Sequence, residues 1–273
     1  MFKYSAAASV SARELESYTR FALEVAAQAG EATLPYFRAD VAIDDKRTRG
    51  RYDPVTQADR EAERVIRERV EAAYPQHGIF GEEFGLRAGN GLTWVVDPID
   101  GTRAFMMGML HWGVLLALFD GERPVLGVMH QPFTGETFYG NGEGAWYRRG
   151  GAERRLRVRR CESLEEAVLA TTSPRLFGKA EQRAAFDRLE AAVKLSKYGG
   201  DCYIYAMVAM GYVDLATDAD LNPYDIQALM PIIQGAGGIV TTVHGGDASM
   251  GGFVLAAGDI KLHAMAVESM MGA

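Results

Sequence analysis

The chain has 273 residues, 48% of them hydrophobic, enough to bury a full core as one large domain or two closely packed halves. Its formal charge of −7 argues against a general nucleic-acid binder, whose surface is normally basic. Only Cys161 and Cys202 are present, in no CxxC pair and near no clustered histidines, which excludes a disulfide framework and a zinc site and leaves two buried or half-buried thiols.

Residues 1–10 lack the charged start and apolar run of a secretory signal, and no later stretch is long and apolar enough to span a bilayer. A cytoplasmic protein without membrane contact is the expectation. Between 12 and 37, Leu15, Tyr18, Phe21, Ala22, Val25, Ala29 and Leu34 recur at helical spacing and predict a long amphipathic helix ending by Pro35 or Phe37. A second helix is predicted over 56–74, with Ala62, Val65, Ile66, Val70 and Ala73 on one face and Arg60, Glu61, Arg64, Arg67 and Glu68 on the other. Strands are predicted at 78–82, 93–96, 113–119, 124–130 and 136–139. Turn signals at Asp120-Gly121-Glu122 and Asn141-Gly142 favour a largely antiparallel meander.

The basic stretch 148–160 alternates Arg155, Arg157 and Arg159 with Leu156 and Val158, which predicts a strand with one solvated face; an acidic partner or a subunit contact is the other use of such a run. Beyond it come a strand at 167–171, helices at 179–193 and 202–210, a strand at 213–217, and a helix at 225–234 that stops at Gly235-Ala236-Gly237-Gly238. No repeat or long linker interrupts the chain. The pattern is α/β in layers, a single fold with subdomains over about 1–150 and 151–273.

The chemistry concentrates in Trp94-Val95-Val96-Asp97-Pro98-Ile99-Asp100-Gly101-Thr102. Two aspartates three apart, straddling a proline where an apolar strand stops, can converge on one point. Together with the free carbonyl of Ile99 they supply the oxygen ligands that a hard cation such as Mg²⁺ requires. Gly101 and Thr102 then offer backbone N–H groups to a phosphate. Asp97-Pro98 also reads as a simple turn. Glu82 and Glu83 form an acidic pair that is either solvated or faces positive charge. Asp59 lies three residues after Thr56 in a capping-box pattern, and Asp225 begins a helix whose dipole alone would favour it.

Taken in order, Asp-Pro-Val-Thr-x-Ala-Asp at 53–59, Gly-Glu-Glu at 81–83, Trp-Val-Val-Asp-Pro-Ile-Asp-Gly-Thr at 94–102, and Tyr224-Asp225 before a helix ending in Gly-Ala-Gly-Gly resemble the inositol-monophosphatase superfamily of lithium-sensitive, metal-dependent phosphatases. The resemblance covers essentially the whole chain. It implies an α-β-α-β-α layered sandwich of the kind shared with fructose-1,6-bisphosphatase, and two or three Mg²⁺ ions, with Mn²⁺ as a substitute. By that resemblance Glu82, Asp97, the Ile99 carbonyl, Asp100 and Asp225 hold the ions. Thr102 and Asp59, with Glu82, activate the attacking water, and the N–H groups of Gly101 and Thr102 hold the phosphate. A homodimer is implied as well, with Phe105, Met106, Met107 and Met109 as interface, pocket lid or core.

Tyr198-Gly199-Gly200-Asp201-Cys202-Tyr203 and 218–225 look like the histidinol-phosphate phosphatase branch of that superfamily. Histidinol phosphate carries an ammonium group that Asp201 and Asp218 could pair with, so Asp100, Gly200, Asp201 and Asp218 are the expected substrate contacts. Asp201 also stands where it would cap the helix beginning at Cys202. An inositol-1-phosphate or broad sugar-phosphate phosphatase is the alternative substrate reading. A non-catalytic binding protein that keeps the fold is the alternative of another class, although Glu82, Asp97, Asp100, Thr102 and Asp225 are all present.

Overall fold

The computed structural model describes residues 9–39, 43–45 and 54–272. The Asp53 end of the Asp-Pro-Val-Thr motif therefore lies outside the described residues. Two antiparallel helices come first, α1 (Ala12–Thr33) and α2 (Gln57–Ala73), separated by the short ribbon β1 (Ile43–Asp45) and β2 (Pro54–Thr56). Both helices start on the capping boxes their sequences carry, Ser11 with Glu14 and Thr56 with Asp59. The first helix ends at Thr33, within the expected limit of Pro35 or Phe37, and tightens into a 3₁₀ turn at Leu34–Tyr36, where Pro35 cannot extend the ladder.

An eight-stranded sheet follows from β3 (Gly78–Gly81), β4 (Gly85–Arg87), β5 (Thr93–Asp100), β6 (Gly113–Phe119), β7 (Pro124–Gln131), β8 (Glu136–Asn141), β9 (Gly144–Arg149) and β10 (Ala152–Arg155). Its order is β10-β9-β8-β7-β6-β5-β3-β4, and all pairs but β3–β5 are antiparallel, as the turn signals predicted. The second half contributes β11 (Val168–Thr171), α4 (Ala180–Ala192), β12 (Leu195–Tyr198), α5 (Cys202–Met210), β13 (Leu215–Leu221), α6 (Pro223–Ile226), α7 (Leu229–Gly235), β14 (Ile239–Thr242), β15 (Gly252–Ala257) and α8 (Ile260–Met271). Its five strands run in the order β12-β11-β13-β15-β14.

The central strands read as unbroken apolar runs because both of their faces are covered. Val114, Leu116 and Leu118 of β6 pack under α1 and α2, while Leu115, Ala117 and Phe119 point the other way, onto α5 and α7. That middle layer also receives Ala170, Ala216, Val254 and Ala256 from the second sheet, whose far face is closed by α4 and α8 through Phe186, Leu189, Leu262 and Ala266. The layering is helix, sheet, helix, sheet, helix.

Beside elements that were not predicted at all, three expectations need correction here. The apolar periodicity at 225–234 is two helices, α6 and α7, because Pro231, the third residue of α7, has no N–H to carry the helix on from Gln227 and fits only near a new start at Leu229. The basic stretch is not one strand: Arg148 and Arg149 end β9, Gly150-Gly151 turn the chain back, β10 ends at Arg155, and residues 156–160 keep the in-out alternation, with Leu156 buried, but cross between layers, Leu156 N–H donating to Ala145 O and Val158 N–H to Ala236 O. Phe105 is no exposed interface residue. It is 3% exposed, against Phe37 and Trp112, whereas Met107 and Met109 are exposed.

Candidate active site

A three-residue spacing puts two strand side chains on opposite faces, so Asp97 and Asp100 could not converge in a regular β5. The sheet solves this with an irregularity. Asp97 pairs with Leu115 and Asp100 with Gly113, so three steps on β5 match two on β6, and the extra residue falls at Pro98-Ile99. Proline lacks the ladder donor, which suits it to that bulge. The expected break in the strand is thus a bulge inside it, and both carboxylates turn to the same side. With Asp225 from α6 they form a cluster whose ligand oxygens lie within 4.8 Å of one another.

Each acid is held by main chain. Asp97 Oδ1 accepts from Ile99 N–H at 3.1 Å, and Asp225 Oδ2 from Asn222 N–H at 2.6 Å. Asp100 Oδ2 accepts from Cys202 N–H at 2.6 Å, which ties the end of β5 to the start of α5 and so joins the two halves of the chain at the site. Burial, then the charges of Glu82, Asp100, Asp225 and Asp59, push the Asp97 carboxyl well above the usual carboxylate range. Burial, then Asp201 and Asp225, do the same to Asp100. A cluster of oxygen donors that repel one another in this way suits a hard divalent cation.

Gly101 adopts φ 88°, and a Cβ there would lie 2.8 Å from His111 O, so only glycine fits this turn. It leads into α3 (Thr102–Met106), whose first N–H groups have no partner inside the helix. Thr102 Oγ1 has two acceptors in reach, Ile99 O at 3.1 Å and Asp59 Oδ1 at 3.4 Å. Asp59 serves both uses that its position suggested. Its Oδ2 accepts from Thr56 N–H and Oγ1 at 2.7 and 2.6 Å as a cap, while Oδ1 faces Thr102.

A cavity of about 220 Å³ lies over these groups, lined by Glu82, Asp97, Ile99, Asp100, Gly101, Thr102, Asp201, Asp218 and Asp225 together with Arg103, Thr172 and Tyr205. Asp201 does not cap α5 with its side chain; its carboxylate meets His111 Nδ1 at 3.0 Å. Asp218 lies in β13, which runs four residues beyond its predicted end, and is 1% exposed. Its oxygens accept from Thr171 Oγ1, Thr172 N–H and Oγ1, and Tyr205 OH at 2.8 to 3.2 Å. Burial nonetheless pushes the Asp218 carboxyl up to about 7. Gly200 is buried behind the cavity lining. With φ 134° and Gly199 at 81°, it shapes the turn into Asp201.

Glu63 escaped the sequence reading. It is fully buried on α2 and accepts from Glu83 N–H at 2.7 Å, Phe84 N–H at 3.2 Å and Arg67 Nε at 2.7 Å, so it holds the turn that carries Glu82. Gly81 is glycine because a Cβ there would come within 2.0 Å of that carboxylate. The available signal was the Glu63–Arg67 pair one helical turn apart, beside buried Ala62 and Ile66. His111 and Tyr205 had no signal of their own, since their partners are distant in sequence.

Two sheets meeting over a carboxylate cluster, beside a glycine turn that presents backbone donors, define a metal-dependent phosphatase of small substrates. The chain belongs to the inositol monophosphatase family, whose profile matches residues 14–271. It is 38% identical over 269 residues to the bifunctional phosphatase IMPL2, chloroplastic, of Arabidopsis thaliana, covering 94% of this chain and 76% of that one. It is 36% identical over 221 residues to a histidinol-phosphatase of Chlorobaculum parvum, covering 80% and 83%. Among solved structures, an inositol monophosphatase from Zymomonas mobilis superposes with TM-score 0.84 at 38% identity, over 96% of this chain and all of that one. Among the described residues, no helix is long and apolar enough to cross a membrane.

Proposed function

We propose that this protein is a Mg²⁺-dependent phosphomonoesterase that hydrolyses L-histidinol phosphate to L-histidinol and phosphate. One observation carries the choice of substrate. The Asp201 carboxylate, released from helix capping, lines the same cavity as the acidic cluster and the Gly101 turn, so one cavity combines a phosphate seat with an anionic wall suited to an ammonium group. The histidinol-phosphatase among its relatives supports the same reading.

In this reading Glu82, Asp97, the Ile99 carbonyl, Asp100 and Asp225 hold two or three Mg²⁺ ions, with Mn²⁺ able to replace them. Such ions, when bound, neutralise phosphate charge and make a coordinated water acidic. Thr102 Oγ1 orients the attacking water and takes its proton while passing its own to Asp59 Oδ1; Glu82 stands on the same side as a second carboxylate for that step. The Gly101 and Thr102 N–H groups orient the phosphate, and Asp100 contributes to the substrate side as well as the cluster. Asp201 receives the ammonium group. Gly200 sets the turn that aims Asp201, and Asp218 acts through Thr172 and Tyr205, which it holds against the cavity.

An inositol-1-phosphate or broader sugar-phosphate activity is the second reading, favoured by the Zymomonas mobilis structure. Phosphate release by purified protein with Mg²⁺ separates the two: turnover of L-histidinol phosphate well above that of inositol 1-phosphate is expected, and the reverse order overturns the choice. A homodimer in the cytoplasm completes the proposal. Its interface is the apolar face near Met107, Met109 and Leu110, where Arg38 donates to Gly108 O at 3.1 Å and lies 4.9 Å over exposed Phe133. A monomer by light scattering at micromolar concentration removes the dimer.

A further inference from the structure

Asp201 sits in a backbone conformation that its residue type rarely adopts. Its φ of 43° and ψ of −133° follow Gly199 and Gly200, also at positive φ, so the chain turns sharply just before α5. The return for that strain is not a helix cap, because the Asp201 side chain accepts from no N–H of the first turn, where Tyr203 N–H is given to Gly200 O and Ile204 N–H to Asp201 O. What the conformation achieves is to bring the Asp201 carboxylate to His111 Nδ1 at 3.0 Å, in a contact where the Asp201 side chain is 19% exposed and that of His111 36%.

His111 is well placed to hold it. The residue lies between α3 and β6 and is anchored by its neighbour Trp112, fully buried against Phe37 and Phe105. Its carbonyl and the Asp201 side chain close on the same small space: a Cβ at Gly101 would meet His111 O at 2.8 Å and Asp201 Cβ and Cγ at 3.2 Å. A carboxylate offers only acceptors, so Nδ1 carries a proton in this contact, in the neutral ring and in the imidazolium that the Asp201 hydrogen bond favours. Two chain segments about 90 residues apart thus pack on the phosphate turn and on each other.

We propose that His111 is a positioning residue that fixes the Asp201 carboxylate beside the Gly101 turn and thereby sets the preference of the site for phosphate esters carrying a cationic group. The inference deepens the reading of Asp201 given above and rests on it. Without the Nδ1–H, the carboxylate loses the contact that orients it and samples several rotamers, so a cationic substrate binds less well while the groups around phosphorus are untouched.

The test is the kinetics of H111L, H111N and D201N at saturating Mg²⁺, with L-histidinol phosphate and inositol 1-phosphate as substrates. Asparagine places an N–H donor where Nδ1 stands; leucine keeps the bulk without it. H111L should raise KM for L-histidinol phosphate about tenfold, leave kcat within about twofold and change KM for inositol 1-phosphate less than about threefold. H111N should restore most of the loss, and H111L should add little on top of D201N. If D201N raises KM for the cationic ester and H111L does not, the inference fails while the role of Asp201 stands. If D201N leaves that KM unchanged, the reading of Asp201 itself falls, and the inference with it. Equal losses by H111L on both substrates, or failure of H111N to rescue, reduce His111 to a structural contact and overturn the proposal.

Discussion

Replacing Asp97 by asparagine should stabilise the metal-free protein while abolishing its response to Mg²⁺. The ligand oxygens of Asp97, Asp100 and Asp225 lie no more than 4.8 Å apart. At an effective dielectric constant near 20, each ionised pair at that distance repels by about 3.5 kcal/mol. The protein relieves part of this by keeping protons, which is why the Asp97 carboxyl titrates well above its ordinary 3.8. The penalty for holding one carboxyl neutral at pH 7 cannot exceed the work of protonating it there, about 4 kcal/mol for a group that ordinarily titrates near 3.8. Asparagine removes the charge, retains Oδ1 as acceptor for Ile99 N–H and changes the volume little. The gain should therefore be about 2–4 kcal/mol, which for a chain of this size raises Tm by roughly 4–8 °C. Thermal melts of the EDTA-treated proteins, repeated with Mg²⁺, read both halves of the prediction: wild type gains Tm with the ion and D97N does not. A metal-free D97N that melts at or below wild type, or that still gains stability from Mg²⁺, refutes the reasoning.

Other consequences can be checked in the same preparations. T102A should lower kcat about 10²- to 10⁴-fold with little change in KM, and a kcat within a few-fold of wild type removes Thr102 from the water-activating step. E63Q leaves an amide facing the donors that the Glu63 carboxylate now satisfies and should cost about 2–3 kcal/mol, while shifting the Mg²⁺ midpoint to higher concentration through Glu82; an unchanged melt and midpoint contradict the account of that turn. In EDTA, stability should fall as pH rises from about 4 to 7. Asp97, Asp100 and Asp218, the last pushed up to about 7, bind protons more tightly folded than unfolded, so this stability is complete below the ordinary carboxylate range and lost as they ionise. Melts that rise over the same interval contradict the sign.

Which features the sequence exposed follows from the range of the interactions. Asp97, Asp100, Gly101 and Thr102 were legible because one contiguous run carries them, and β5 and β6 were legible because burial on both faces makes each an apolar block. The bulge that lets Asp97 and Asp100 face one side was not legible, since it depends on how β5 registers against β6. Of the elements not predicted, β4, β12 and β14 are edge strands of three or four residues, too short to show a period, while β9, β15 and α8 carry patterns that the sequence reading did not pick up. Glu63 and His111 act on groups that chain folding brings to them from 20 and 90 residues away. Asp201 was visible as an acid at the start of a helix, where cap and ligand look the same. Only the position of His111 Nδ1, which draws the carboxylate away from the first turn of α5, separates the two uses.

Manganese placed in crystals of the protein tests the central claim most directly, because its anomalous scattering locates ions independently of any activity. Peaks bounded by Glu82, Asp97, the Ile99 carbonyl, Asp100 and Asp225 are the expected result, with their loss in D100N. Manganese-soaked crystals with no peak among those side chains, in wild-type protein that diffracts well, would contradict it.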